Sequence, residues 1–179
     1  MTWTIIVLAV LAAVLWGFWV SWRASRLDRL HNRVEAARTA LDLALVRRAS
    51  AAADLASSGQ LDPATSMLLA DAVRRARQAE TPERDLAESD LTRALRATLG
   101  EPDLRAELEA ADPEDPFELL DAVEKAAQQV FIARKFYNDL AGRTLDARRR
   151  PLARVLHLSG SAGAPEFFDM DDELTEADS

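Results

Sequence analysis

The sequence predicts an all-α protein: an N-terminal transmembrane helix continuing into an antiparallel helical bundle and closing on a disordered acidic C-terminal tail. Three observations carry this. Residues 3–22 read WTIIVLAVLAAVLWGFWVSW, with no charged residue. Most of the remaining chain repeats apolar residues at three- and four-residue spacing, and no strand-like alternation of useful length occurs. From Ser159 onward the chain turns small and then acidic, without a single Lys or Arg.

The apolar stretch comes first. About 20 residues rising roughly 1.5 Å each cover about 30 Å, the hydrocarbon thickness of a bilayer. Trp3 stands at one end and Trp16, Trp19 and Trp22 at the other, where indole rings favour the headgroup boundary. A secretory signal has a basic start, a shorter apolar core and a small-residue cleavage site, none of which is present, so an uncleaved signal-anchor is expected. Arg23, Arg26, Arg29 and Arg33 follow the span, which places the C-terminal domain in the cytoplasm by the positive-inside rule. The expected division is anchor 1–22, bundle 23–158 and tail 159–179, with lipid contacted through residues 3–22.

Between Trp22 and Ser58 there is neither Gly nor Pro, and Leu27, Leu30, Val34, Ala37, Leu41, Ala44, Ala51 and Leu55 form a seam. Anchor and seam are expected to form one helix of about 55 residues, stopped at Gly59. Arg48 occupies a seam position and is expected to snorkel to its edge. Asp62-Pro63 and Thr81-Pro82 each pair an N-cap residue with Pro at the first helical position. They open segments to about Glu80 and Leu99, the first with Leu68, Leu69, Ala72, Val73 and Ala76 inward. Glu101-Pro102-Asp103 opens a short acidic piece ending at Asp112-Pro113. Asp115-Pro116-Phe117-Glu118 reads as a capping box for a last long helix to Arg150. Its broad apolar face includes Leu120, Val123, Ala127, Val130, Phe131, Tyr137, Leu140, Ala141 and Leu145.

Composition narrows the chemistry. The chain of 179 residues has no Cys, which removes disulfides, thiolate metal sites and thiol catalysis. A net charge of -8 argues against a nucleic-acid partner. Asp28 and His31 have the i, i+3 spacing of a helical metal site, but His157 has no acid three or four residues away, so no metal or cofactor is expected. Phosphate-loop, nucleophile-elbow and zincin motifs are absent, and an enzyme is not expected. Tyr137-Asn138 reads as a buried tyrosine with a hydrogen-bond partner ahead of a ligand contact. The acid-rich stretch 101–124 is expected to face Arg47-Arg48 or Arg148-Arg149-Arg150.

Several positions together carry a family likeness. An N-terminal span is followed by the pair Arg47-Arg48, then Pro102-Asp103-Leu104. Ala133-Arg134-Lys135-Phe136-Tyr137-Asn138, Pro151 and the closing pair Phe167-Phe168 come after. In this order they resemble LemA-like proteins over roughly residues 1–168. The chain departs from the family where an apolar, proline-containing stretch is expected after the Arg pair and Ala49-Ser50-Ala51-Ala52-Ala53-Asp54-Leu55 stands instead. Ala127 stands for a Glu, and Thr144-Leu145 for a second Tyr-Asn. The resemblance implies a membrane-anchored helical bundle with no catalytic residues. The function expected is a scaffold that docks protein partners at the membrane, with self-association among its modes. The alternative is a regulatory subunit of a membrane enzyme such as a protease or envelope-stress component, and a di-metal bundle enzyme is third.

Overall fold

The computed structural model describes residues 2–80, 82–102, 104–111, 117–149, 163–172 and 174, and of residues 20–28, 107 and 111 the backbone alone. Every regular element among them is helical: α1 Thr2–Ser57, α2 Pro63–Gln78, α3 Arg84–Leu99, α4 Leu104–Ala111 and α5 Glu118–Arg149. The expected unbroken first helix is present, 56 residues long.

Its end is set by local chemistry. Past Ser57 the chain turns at Gly59, whose φ of 76° lies in the left-handed region that L side chains avoid. Gly59→Ala is expected to cost about 1 kcal/mol by forcing a Cβ into that region. Chemical denaturation followed by circular dichroism measures the loss, and an unchanged midpoint would show that the turn relaxes freely. Asp62 caps α2 as expected, its carboxylate accepting from the Ala64 and Thr65 amides at 2.9 and 3.2 Å, with Pro63 in the first turn. Hydrogen bonding from Thr65 holds the Asp62 carboxyl below its ordinary value.

Pro82 does not open the next helix, and Thr81 lies outside the described residues. α2 ends at Gln78, and α3 begins only at Arg84, behind Glu83, which provides no side-chain cap. The Glu83 amide donates instead to the Glu80 carbonyl at 2.8 Å, so Pro82 sits in a turn between two separate helices. The capping box at Asp115 and the Asp112-Pro113 stop lie outside the described residues.

The chain forms two compact units, cut within α1 and within α5. One comprises Met1–Ala37 and Asn138–Phe167, the other Arg38–Tyr137 and Phe168–Ser179. In the first, Val34, Ala37, Leu140, Ala141 and Thr144 are buried, and the Thr144 hydroxyl returns to the Leu140 carbonyl at 2.8 Å. Thr2–Trp19 is long and apolar enough to cross a membrane, and none of it is buried.

In the second unit all five helices feed one apolar cluster. Ala49, Ala52 and Leu55 come from α1, Leu69, Ala72, Val73 and Ala76 from α2, and Leu91 and Leu95 from α3. Leu104 and Leu108 of α4 and Leu120 and Val123 of α5 complete it. Leucine dominates the cluster, and its alanines all lie on α1 and α2. Leu68 and Phe131 are among the expected inward residues that are not fully buried. Leu68 is 71% exposed, because the buried stripe of α2 runs 69, 72, 73, 76 and leaves position 68 on its flank. Phe131 is only half-buried; its neighbour Val130 is the residue that α5 turns fully inward. Lys135 stands over the Phe131 ring at 5.9 Å, the ammonium covering the face left open.

Candidate functional site

Arg48 does not snorkel. It is 1% exposed in the second unit. Its Nη2 donates to the Glu88 carboxylate at 2.7 Å and to the Glu88 carbonyl at 3.2 Å, and its Nη1 donates to the Thr92 hydroxyl at 2.8 Å. That hydroxyl donates in turn to the Glu88 carbonyl at 3.1 Å. The stem of Arg48 is too deep in the α1 seam for its head to reach water. α3 therefore supplies acceptors from two residues one turn apart. Glu88, Leu91, Thr92, Leu95 and Thr98 all lie on the buried stripe of α3, so acid and hydroxyl face the same way. Arg48 Nε has no hydrogen-bond partner among the described residues. Burial pushes the Glu88 carboxyl above its ordinary value, against the pull of Arg48 and of the more distant Arg84, with Asp42 adding to the rise. Arg84 and Asp42 pair with each other at 2.8 Å.

The second feature is the docked tail. Residues 163–172 carry no helix, and burial alternates along 170–172 as in an extended chain. The Asp172 carboxylate takes both forks of the Arg134 guanidinium, Nε at 2.6 Å and Nη2 at 2.7 Å. Arg96 Nη2 donates to both oxygens of Asp171 at 2.8 and 2.9 Å. The tail backbone is held too, with the Asp169 amide donating to the Asp85 carboxylate at 2.9 Å and the Asp171 amide to the Ser89 hydroxyl at 3.0 Å. Met170 is 5% exposed and Asp172 6%. An extended chain turns every second residue the same way, so Met170 and Asp172 share one face. Leu174 packs at the edge of the apolar cluster. For residues 163–172 the expected disorder is thus replaced by a bound segment. Asp171 and Asp172 find two guanidinium groups on α3 and α5, and two of the backbone amides find side-chain acceptors on α3. Residues 159–162 and 175–179 lie outside the described residues.

The residues singled out from sequence fall in different places. Arg47 is exposed and Arg48 is the buried ion-pair residue. Ala133 is half-buried, Arg134 holds the tail, Tyr137 is buried and Asn138 is half-buried. Phe167 is exposed but its ring lies against Gly142 of α5, and Phe168 is half-buried; the fully buried residues of the tail are Met170 and Asp172. Pro151 lies outside the described residues, as do the side chains of Trp22 and Arg23. Trp3 and Trp16 are exposed, and Trp16 lies 5.8 Å from Trp19 between ring centroids. Glu124, within the acid-rich stretch, pairs with Arg105 at 3.3 Å, and Arg48 is taken by Glu88 instead. Among the described residues no three His, Cys, Asp or Glu side chains are grouped to hold a metal ion.

Glu88, Thr92, Met170, Asp171 and Asp172 were not legible as site residues. A signal existed for the first two: Glu88 and Thr92 fall in register with Leu91 and Leu95, on the face that must be buried. No protein family, curated protein or solved structure matches the chain.

Proposed function

We propose that this chain is a single-pass, membrane-anchored helical interaction protein that docks protein partners at the cytoplasmic face, and that it is not an enzyme. The observation that carries the reading is the unburied stretch Thr2–Trp19, on a helix whose later part turns a regular face inward. An apolar surface of that length is a liability in water and is covered by a bilayer without further protein. The tryptophans at its ends and the Arg residues beyond it favour a cytoplasmic C-terminal domain. Kinship with LemA-like proteins is part of the same proposal, resting on the order of Arg47-Arg48 and Ala133-Arg134-x-x-Tyr137-Asn138.

The test is flotation of membranes from cells expressing the full chain, with mass determination of the mature N-terminus. The expected result is a protein that floats with lipid, resists carbonate and retains residues 1–22. A mature chain beginning after Trp22 would make the stretch a signal sequence and end the anchor reading. A reporter placed after Ser179 is expected to be active only in the cytoplasm. In-cell crosslinking is expected to recover several proteins or further copies of the chain; one dominant membrane enzyme would favour a regulatory subunit instead.

A further inference from the structure

We propose that the groove between α3 and α5, flanked by Arg96 and Arg134, is a receptor for an extended acidic segment of a partner protein, and that residues 168–172 with Leu174 are its built-in competitor. The inference deepens the interaction reading, on which it rests, by naming the partner's chemistry.

The contacts are those of peptide recognition. A bidentate Arg134–Asp172 pair fixes one carboxylate, the Arg96–Asp171 pair a second, and one apolar side chain, Met170, is swallowed beside them. Backbone amides of the segment are met by Asp85 and Ser89 of α3, which fixes its direction. The apolar cluster of this unit is built by the five helices and Leu61, with Leu174 touching only its margin.

The tail also fits incompletely. Beside Asp172 and Leu174 lies an open cavity of about 440 Å³, walled by Leu99, Glu124, Ala127, Gln128 and the half-buried Phe131. A segment carrying two adjacent acids and, two residues on, a side chain larger than leucine satisfies both arginines and fills that space. An aromatic residue there stacks on Phe131. Such a ligand gains over the tail from apolar burial, while the tail gains from being tethered.

The probe is a fluorescein-labelled peptide of residues 163–179, together with a version bearing Leu174→Trp, titrated by anisotropy against the detergent-solubilised full chain. With Asp171→Asn and Asp172→Asn placed in the chain to release its own tail, saturable binding is expected. The wild-type chain is expected to bind about tenfold more weakly, because its tethered tail competes. Arg134→Ala in the released chain is expected to weaken binding by at least about tenfold. The Leu174→Trp peptide is expected to bind more tightly than the natural one. A released chain that keeps its helicity and melting temperature yet binds no peptide overturns the proposal, and so does equal binding of a scrambled peptide of the same composition. A second measurement uses the wild-type chain alone: excess Leu174→Trp peptide is expected to accelerate amide exchange at Asp169 and Asp171, and unchanged exchange sinks the competition. Flotation is indifferent to all of these outcomes, so failure here leaves the anchor reading standing and the reverse also holds.

Discussion

Arg48→Met alone is expected to destabilise the protein by about 3–5 kcal/mol at neutral pH, whereas Arg48→Met with Glu88→Leu is expected to match or exceed the wild type. The asymmetry comes from desolvation. Removing Arg48 strands a carboxylate that is 3% exposed, with only the weaker pull of Arg84 to oppose the cost of burying its charge. Removing both partners for apolar residues of similar volume discards that cost altogether, and the Thr92 hydroxyl keeps its residue-88 carbonyl acceptor. The same pair sets a pH dependence. The Glu88 carboxyl is raised above its ordinary value of 4.5, chiefly by burial, so the folded state binds this proton more tightly than the unfolded chain does. Its contribution to stability is therefore fully present below the ordinary glutamate value and is lost as pH rises through the raised one. Without Arg48 the carboxyl rises further, and the gap between wild type and Arg48→Met widens with pH. Thermal melts of the full chain in detergent from about pH 5 to 8 read this directly. Glu88→Gln, which keeps an acceptor for Arg48 and removes the titration, is expected to flatten that component. A pH profile identical for wild type and Glu88→Gln would mean that Glu88 does not titrate differently on folding.

Leu91→Ala is expected to cost about 2–5 kcal/mol, while Leu68→Ala stays within about 0.5 kcal/mol. Leu91 is fully buried in a cluster assembled from five helices. Most members of that cluster from α1 and α2 are alanines, which have no spare length with which to close a cavity. Leu68, on the flank of the buried stripe of α2, is largely in contact with solvent. A domain of ordinary stability, about 5–15 kcal/mol, loses a large part of its margin to the first substitution and almost none to the second. Urea unfolding at a fixed temperature measures both. Equal midpoints for the two variants would show that the cluster repacks around the lost side chain.

Much of the helical layout was legible because its signals are local. A Gly-free and Pro-free run from Trp22 to Ser58, a glycine at 59 and Asp62-Pro63 act within a few residues of themselves, and they delimit the first two helices. Leu68 and Phe131 depart from expectation because periodicity gives the width of an apolar face but not its centre, which depends on which neighbour arrives. Arg48 departs for the same reason. Snorkelling is right for a long cation at the edge of a seam, and whether position 48 is edge or centre is decided by α3, 40 residues away in sequence. Composition measures how little apolar surface the tail can bury. It is blind to two arginines on separate helices that turn a run of aspartates into a bound segment.

The Arg48–Glu88 contact also bears on how this chain can diverge. A neutral drift at position 48 or at position 88 passes through an intermediate with one uncompensated buried charge, so the two positions are expected to behave as a single inherited character. Sister sequences should keep the ion pair whole or replace it whole by two apolar residues, and rarely carry half of it. Leu68 and the other exposed positions of α2 face no such barrier and are free to wander one substitution at a time.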